Sequence, residues 1–511
     1  MFSENNKVSG RQLGRMIFVE SSGTTAFLAL RTIGKYGSDG LLIMLWVFLF
    51  ALVYTMLCFK LAKAMNKNES KKLYRIIRAV VMIILIAKYL CMAAIVLNGI
   101  SDVARLILIP EVSSFFVFAI TLACIIYCIN GGIEDRGRAC ELLFYFVLIP
   151  ILIICIMLIP KVEPANLLPE FNMNIKDAII DYLLLVWFFV PAEMLVLAKD
   201  CYDNTDRVRA NVYGSIVLSA LVNIGIYVAA VGVYGGETVA KMDRPVLRLM
   251  QISGIPGDFL NRQDGIMSVF LIISLFASSW ALIYHVNEMI KNLFLQNRNL
   301  KTALKVSTVA VVIVVLAFFV FNGKHKEKII AANVGGTELE ERKFIMSIIA
   351  YQGEEDLNFV YEIASSSTES QFEVISAENL DKAEETFEFT NGSYVDYSHM
   401  KVLLLDKEVL ENVDLMRKIV NDMSNNLKFA ENIVVCAIDL NDKFDEKNFS
   451  GKTVEQLTKN QEAFKESEIF RFDKMYSSGE GNITIPLIDD SVKLIGSGIV
   501  TEEVVFWKYG E

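Results

Sequence analysis

The chain has 511 residues, 54% of them hydrophobic and 21% charged, with a formal net charge of −10. The charge is split, with 29 basic and 22 acidic side chains in residues 1–322 against 20 and 37 in residues 323–511. A very apolar, basic part joined to an acidic part of ordinary composition excludes a single water-soluble globule; it describes a membrane-embedded part followed by a soluble one, with no nucleic-acid partner expected.

In chain order, Met1–Arg15 is short and polar and lacks the apolar core of a signal peptide, so insertion is expected to begin with the first span. Nine apolar runs, each roughly 20 residues and so long enough to cross ~30 Å of hydrocarbon, lie at about 12–30, 40–61, 77–99, 113–129, 139–159, 177–198, 211–234, 264–286 and 303–322. Lysines and arginines favour cytoplasmic connections. The N-terminus and alternate connections hold 19 of them, from Lys7 to Lys305, and the opposite set holds 9. The N-terminus is therefore expected in the cytoplasm, and an odd number of crossings delivers the C-terminal part to the outer side.

The informative residues are the polar ones at bilayer depth. The first span carries Glu20-Ser21-Ser22-Gly23-Thr24-Thr25, a run of small and polar side chains that weakens a helix. An opened helix exposes N–H and C=O groups to a polar ligand and is tolerated in a membrane only where it lines a cavity; small residues also simply allow close helix packing. The sixth span carries Val190-Pro191-Ala192-Glu193, and its proline removes a backbone donor. Two interrupted helices five spans apart suit a pair of five-helix inverted repeats around one midplane site. Glu20, Lys88 and Glu193 are the ionisable groups in the hydrocarbon, and each needs a partner. Either Lys88 forms a structural ion pair with one of the carboxylates, or Lys88 or the N–H groups of the first helix receive a ligand carboxylate. The candidate ligand-binding set is Ser22, Gly23, Thr24, Thr25, Lys88, Pro191 and Glu193. Asp181 is expected near solvent and His285 at an interface at the cytoplasmic end of span eight. No catalytic motif, metal-ligand spacing or cofactor signature is present, so no enzyme activity is expected.

These segments resemble the permease-like B subunits of spore germination receptors (GerAB-like), within the amino acid–polyamine–organocation superfamily. The resemblance is carried by Ser9-Gly-Arg-Gln12-Leu, Gly132-Ile-Glu-Asp-Arg-Gly-Arg138-Ala-Cys-Glu141, Pro164-Ala-Asn166-Leu-Leu-Pro169, Arg244-Pro245-Val-Leu-Arg248 and Phe259-Leu-Asn-Arg262-Gln-Asp264. It implies a LeuT-like helical bundle with broken helices 1 and 6, a small-molecule nutrient (amino acid or nucleoside) bound within it, surrounding membrane lipid, and a partner A subunit contacted through the bundle and the outer domain. Family members are expected to have ten spans, and this chain stops at nine.

Past a juxtamembrane linker (323–337), residues 338–511 change to short strands and amphipathic helices, expected to form a soluble α+β domain. Phe344–Tyr351 and Phe359–Ile363 read as a strand pair. Ser376 reads as the N-cap of a helix bearing Leu380, Ala383 and Phe387. Lys401–Leu405 and Ile433–Ile438 read as buried strands flanking a helix at about 408–427, and strand signals return at 483–487, 492–499 and 504–507. The stretch Tyr397-Ser-His399-Met-Lys401, with Ile485-Pro486-Leu487 and Ile495-Gly-Ser-Gly498, resembles the N-terminal domain of the receptors' C subunit (GerAC-like). His399 has no second ligand in view and reads as structural. Together the resemblances imply a nutrient germinant receptor subunit of the inner membrane, multi-pass, with the C-terminal domain outside. The alternative is a secondary amino acid transporter of the same superfamily.

Overall fold

A computed structural model describes residues 7–68, 72–108, 112–169, 171, 173–189, 191–242, 245–252, 263–294, 342–353, 356–364, 371–426, 429–430, 432–440, 467–479, 481–489 and 492–509. The chain divides into two compact units. One holds the chain up to Val233 together with the segment starting at Gly265; the other holds Tyr234–Asp264 and the C-terminal part from Asn333. The connection before the eighth predicted span thus groups with the C-terminal domain, a grouping that composition does not reveal.

The first unit is helical. Its elements are α1 (Gly10–Ile33), α2 (Gly40–Asn68), α3 (Lys72–Val103), α4 (Ser114–Cys128), α5 (Gly132–Leu158), α6 (Ile175–Phe189), α7 (Met194–Leu197), α8 (Asp206–Tyr234, whose last residue belongs to the second unit) and, after two short helices of that unit, α9 (Gly236–Lys241) and α10 (Pro245–Ile252), the long α11 (Gln263–Phe294). Eight of the nine predicted spans fall on these helices, and the ninth, 303–322, lies outside the described residues. By length and composition, five described stretches are long and apolar enough to cross a membrane, one of them, Ser114–Lys161, containing both α4 and α5. Large side chains such as Trp46, Ile83, Phe116, Tyr127, Leu142 and Ile156 stand exposed on these helices, as apolar groups facing lipid do.

Helix α1 starts with a capping box, in which Ser9 Oγ accepts from Gln12 N and Gln12 Oε1 accepts from Ser9 N. It then runs unbroken through Ser21–Thr25, where the sequence predicts an opened turn. The physical reason lies in the hydroxyls: Ser22 Oγ donates to Phe18 O at 2.6 Å and Thr24 Oγ1 to Glu20 O at 2.9 Å, each folding back on its own helix. Close packing accounts for the small residues, since a Cβ on Gly23 would meet Ser274 of α11, and one on Gly14 would meet Ser215 of α8. At the sixth apolar run, α6 ends at Phe189, a 3-10 turn covers Pro191–Glu193, and α7 follows.

The second unit is built on a mixed sheet. Its strands are β1 (Arg342–Gln352), β2 (Leu357–Ile363), β3 (Gln371–Ala377), β4 (Tyr394–Asp396), β5 (Val402–Asp406), β6 (Val434–Asp439), β7 (Ile483–Asp489), β8 (Leu494–Val500) and β9 (Val505–Tyr509). The order is β3-β2-β1-β5-β6-β7-β8-β9, with β4 pairing beside β1. The four central strands β1, β5, β6 and β7 run parallel and the flanking pairs are antiparallel. Parallel strands need both faces covered, and both are: every residue of β5 is buried, Leu403 and Leu405 in the larger core, Val402 and Leu404 in the smaller. The helices are α12 (Leu380–Asn391), α13 (Lys407–Glu411), α14 (Val413–Asn425) and α15 (Ile469–Ser478). Ser376 lies in β3, and the N-cap of α12 is Asn379, whose side chain accepts from Lys382 N at 2.8 Å. Cys436 is wholly buried in β6, and burial pushes its thiol well above the ordinary range.

Leu403 is fully buried at the centre of this sheet, so Leu403→Ala is expected to destabilise the domain by about 2–5 kcal/mol. Pulse proteolysis of the full chain in detergent, followed across a urea series, measures this as a lower midpoint for cleavage within residues 342–509. An unchanged midpoint would remove β5 from the centre of the core.

Candidate ligand site in the helical bundle

Proline at 191 forces the chain off the helical path, and the resulting 3-10 turn presents Glu193 to α3. Lys88 Nζ donates to Glu193 Oε1 at 2.5 Å, and both side chains are buried, 5% and 8% exposed. Tyr89, next to Lys88 on α3, donates its hydroxyl to Glu193 Oε2 at 3.3 Å. Lys88 and Glu193, two ionisable groups that the sequence leaves in need of partners, thus pair with each other. Helix α1 packs against this 3-10 turn. Ser22, Gly23 and Thr24 lie on α1, with Ser22 and Thr24 buried; Thr25 follows in the same helix and Pro191 opens the turn.

The third group, Glu20, pairs with Arg136 of α5. Arg136 is among the largest fully buried side chains, at 1% exposure, although it stands in a segment that reads as a basic cytoplasmic connection. Its Nη1 lies 3.2 Å from His285 Nε2, which is the acceptor of that pair, and its Nη2 lies 3.4 Å from Met194 Sδ, the first residue of α7. His285 is 3% exposed, with its ring centroid 5.9 Å from that of Tyr89 and 5.7 Å from that of Tyr284. It therefore sits inside the bundle and not at an interface.

The chain Lys88–Glu193–Tyr89–His285–Arg136–Glu20 draws on α3, the 3-10 turn, α11, α5 and α1. Sequence reasoning misses Arg136, yet the signal is present: Ile133, Arg136, Gly137 and Cys140 are all buried and repeat at i, i+3, i+4, i+7. Arg136 is the one cation on an apolar stripe, unlike its exposed neighbour Arg138, which pairs with Glu134. Asp181 also differs from expectation. It is 8% exposed, accepts from Lys35 Nζ at 2.9 Å and from Tyr36 OH at 2.7 Å, and so ties α6 to the turn after α1. Among the described residues no group of three or more His, Cys, Asp or Glu side chains is placed to hold a metal ion.

Residues 7–327 match the spore germination protein family, and residues 335–490 match the spore germination protein N-terminal domain. The chain belongs to the spore germination protein family. A curated relative is the spore germination protein YndE of Bacillus subtilis (strain 168), 23% identical over 286 residues, or 54% of this chain and 78% of the relative. Among solved structures, the chain is similar to a substrate-bound, outward-open Na+-coupled sialic acid symporter, with 15% identity and a TM-score of 0.46 over 63% of this chain and 75% of that one. It is also similar to a variant of the Eremococcus coleocola manganese transporter, with 14% identity and a TM-score of 0.44 over 62% and 72% of the two chains. The spore germination matches span both units.

Removing one member of a buried ion pair leaves the other uncompensated, which costs about 3–5 kcal/mol. Arg136→Met is therefore expected to lower the melting temperature of the purified protein in detergent by several degrees, and Arg136→Met with Glu20→Gln to recover part of that loss. Equal melting temperatures for wild type and Arg136→Met would mean that Glu20 is solvated and the pair is not at depth.

Proposed function

We propose that the protein is a nutrient germinant receptor subunit in the inner membrane of an endospore-forming bacterium. It binds a small nutrient, an amino acid or nucleoside, in the bundle and passes the signal to a partner A subunit. The observation that carries this reading is the Lys88–Glu193 pair at the interrupted sixth span, in a chain of the spore germination protein family. A ligand bearing a carboxylate or a hydrogen-bonding edge competes for Lys88 against Glu193, and its binding separates α3 from the turn. Only a ligand with different affinity for the paired and separated states shifts the equilibrium, and turnover is not required. Ser22, Gly23, Thr24, Thr25, Lys88, Pro191 and Glu193 form the ligand set in this reading. Residues 1–322 make the permease-like bundle, 323–337 the linker and 338–511 the outer domain, which offers the A subunit a second docking surface.

The topology belongs to the same proposal: N-terminus in the cytoplasm, C-terminal domain outside. Two observations support it. The short connections divide their lysines and arginines 19 to 9. The connection after α8, on the outer side by that count, falls in one compact unit with the C-terminal domain.

Glu193→Gln keeps an acceptor for Lys88 and removes the charge. The retained hydrogen bond offsets only part of the lost charge compensation, so the variant is expected in the membrane at reduced levels, with the nutrient-dependent thermal shift of the purified protein and the germination response per copy both lost. A variant made normally that responds with wild-type sensitivity would reject the site, and uptake of labelled amino acids into vesicles would favour the transporter.

For topology, Thr390 is exposed near the end of α12 and Thr205 is exposed just before α8. A membrane-impermeant maleimide is expected to label Thr390→Cys in intact cells, and Thr205→Cys only after permeabilisation, each measured against the unsubstituted chain. The reverse pattern places the domain in the cytoplasm and ends its docking role.

A further inference from the structure

Helix α10 is buried along its whole length, Arg248 and Gln251 included, which is unusual for a short polar-containing helix in a connection. In the same compact unit, α9 packs against α15 of the C-terminal domain. Two contacts join the connection to α15, and a charge interaction adds to them. The ring of Tyr234 meets Phe470 edge-on, with centroids 6.2 Å apart. Lys241 Nζ donates to Ser477 O at 2.6 Å. Arg248 and Lys241 both act electrostatically on Asp473.

The residues on α15 form one stripe. Phe470, Asp473 and Ser477 stand at i, i+3 and i+7, the spacing of a single helix face. The carbonyl of Ser477 belongs to the last turn, where a helix cannot satisfy its own acceptors and where a cation is favoured by the helix dipole. Lys241 supplies both the donor and the charge. One turn earlier, burial pushes the Asp473 carboxyl above the usual carboxylate range, while the Arg248 charge, a hydrogen bond with the Ser424 side chain and the Lys241 charge pull it back. An aromatic, an anion and an open carbonyl on one helix face thus meet an aromatic and two cations on the connection.

We propose that the connection Gly235–Ile252 is a docking surface for an acidic domain presenting the Phe470–Asp473–Ser477 stripe, and that it holds the C-terminal domain without the covalent link between the two. The proposal is independent of the nutrient reading, because docking needs no ligand. The charge difference between the two parts of the chain, basic up to residue 322 and acidic beyond, favours the encounter at long range.

The test uses the full chain, purified in lipid nanodiscs, with a specific protease site inserted between residues 328 and 338. After cleavage, size-exclusion chromatography reports whether the domain stays with the bundle. The wild-type domain is expected to co-elute, Asp473→Lys to release it at least tenfold faster, and Asp473→Lys with Arg248→Glu to restore retention. Because Arg248 is buried and its reversal can unfold the connection, Lys241→Glu on exposed Lys241 is the second variant, and it too is expected to speed release at least tenfold. Immediate release of the wild-type domain overturns the proposal, as does retention of the Asp473→Lys and Lys241→Glu domains at the wild-type rate.

Discussion

A charge at the centre of a bilayer costs about 2.5–3.5 kcal/mol when it stands alone on a helix. The bundle obeys that constraint by pairing its buried ions between helices distant in sequence. Lys88 with Glu193 joins α3 to the turn after α6, and Arg136 with Glu20 joins α5 to α1. Tyr89 donates to Glu193 and His285 accepts from Arg136, so each pair sits in its own hydrogen-bonded network, and the two networks touch where the Tyr89 and His285 rings meet. Such a network is strong when complete and costly when one member leaves.

Much of this was legible in the sequence, and the exceptions have physical reasons. Helix positions follow from apolar length, and eight of the nine apolar runs fall on described helices, with α6 ending just before Pro191, which lacks a backbone donor. Glu20, Lys88 and Glu193 stand out because they interrupt apolar runs. Arg136 does not, because its neighbours Glu134, Asp135 and Arg138 are charged and hide the buried stripe on which it lies. The opened turn expected in α1 fails for a similar reason. Serine and threonine weaken a helix only when their hydroxyls compete for the backbone elsewhere, and here they return to their own helix.

In the C-terminal domain the buried strands β5 and β6 were legible as short apolar runs, whereas β3 was not. Its residues Gln371–Ala377 alternate on an edge with mixed exposure, and Ser376 imitates a helix cap. Helix α15 was missed because its face is amphipathic in an uncommon sense, with the anion and the open carbonyl on the packed side. The central parallel strands place most of the sheet's long-range pairing in β1, β5, β6 and β7, around which the antiparallel flanks add local hairpins.

The position of α9 sets an order of assembly. Translation proceeds at ~5–20 residues per second, so roughly 10–45 s separate the synthesis of α9 from that of α15. During that interval the connection is complete while its counterpart on the C-terminal domain does not yet exist. A nascent chain at this stage carries a finished cationic surface with no anion to meet it. Quality control that recognises unfilled surfaces, by chaperone or by protease, therefore has a window in this protein that closes only when the last third of the chain has folded.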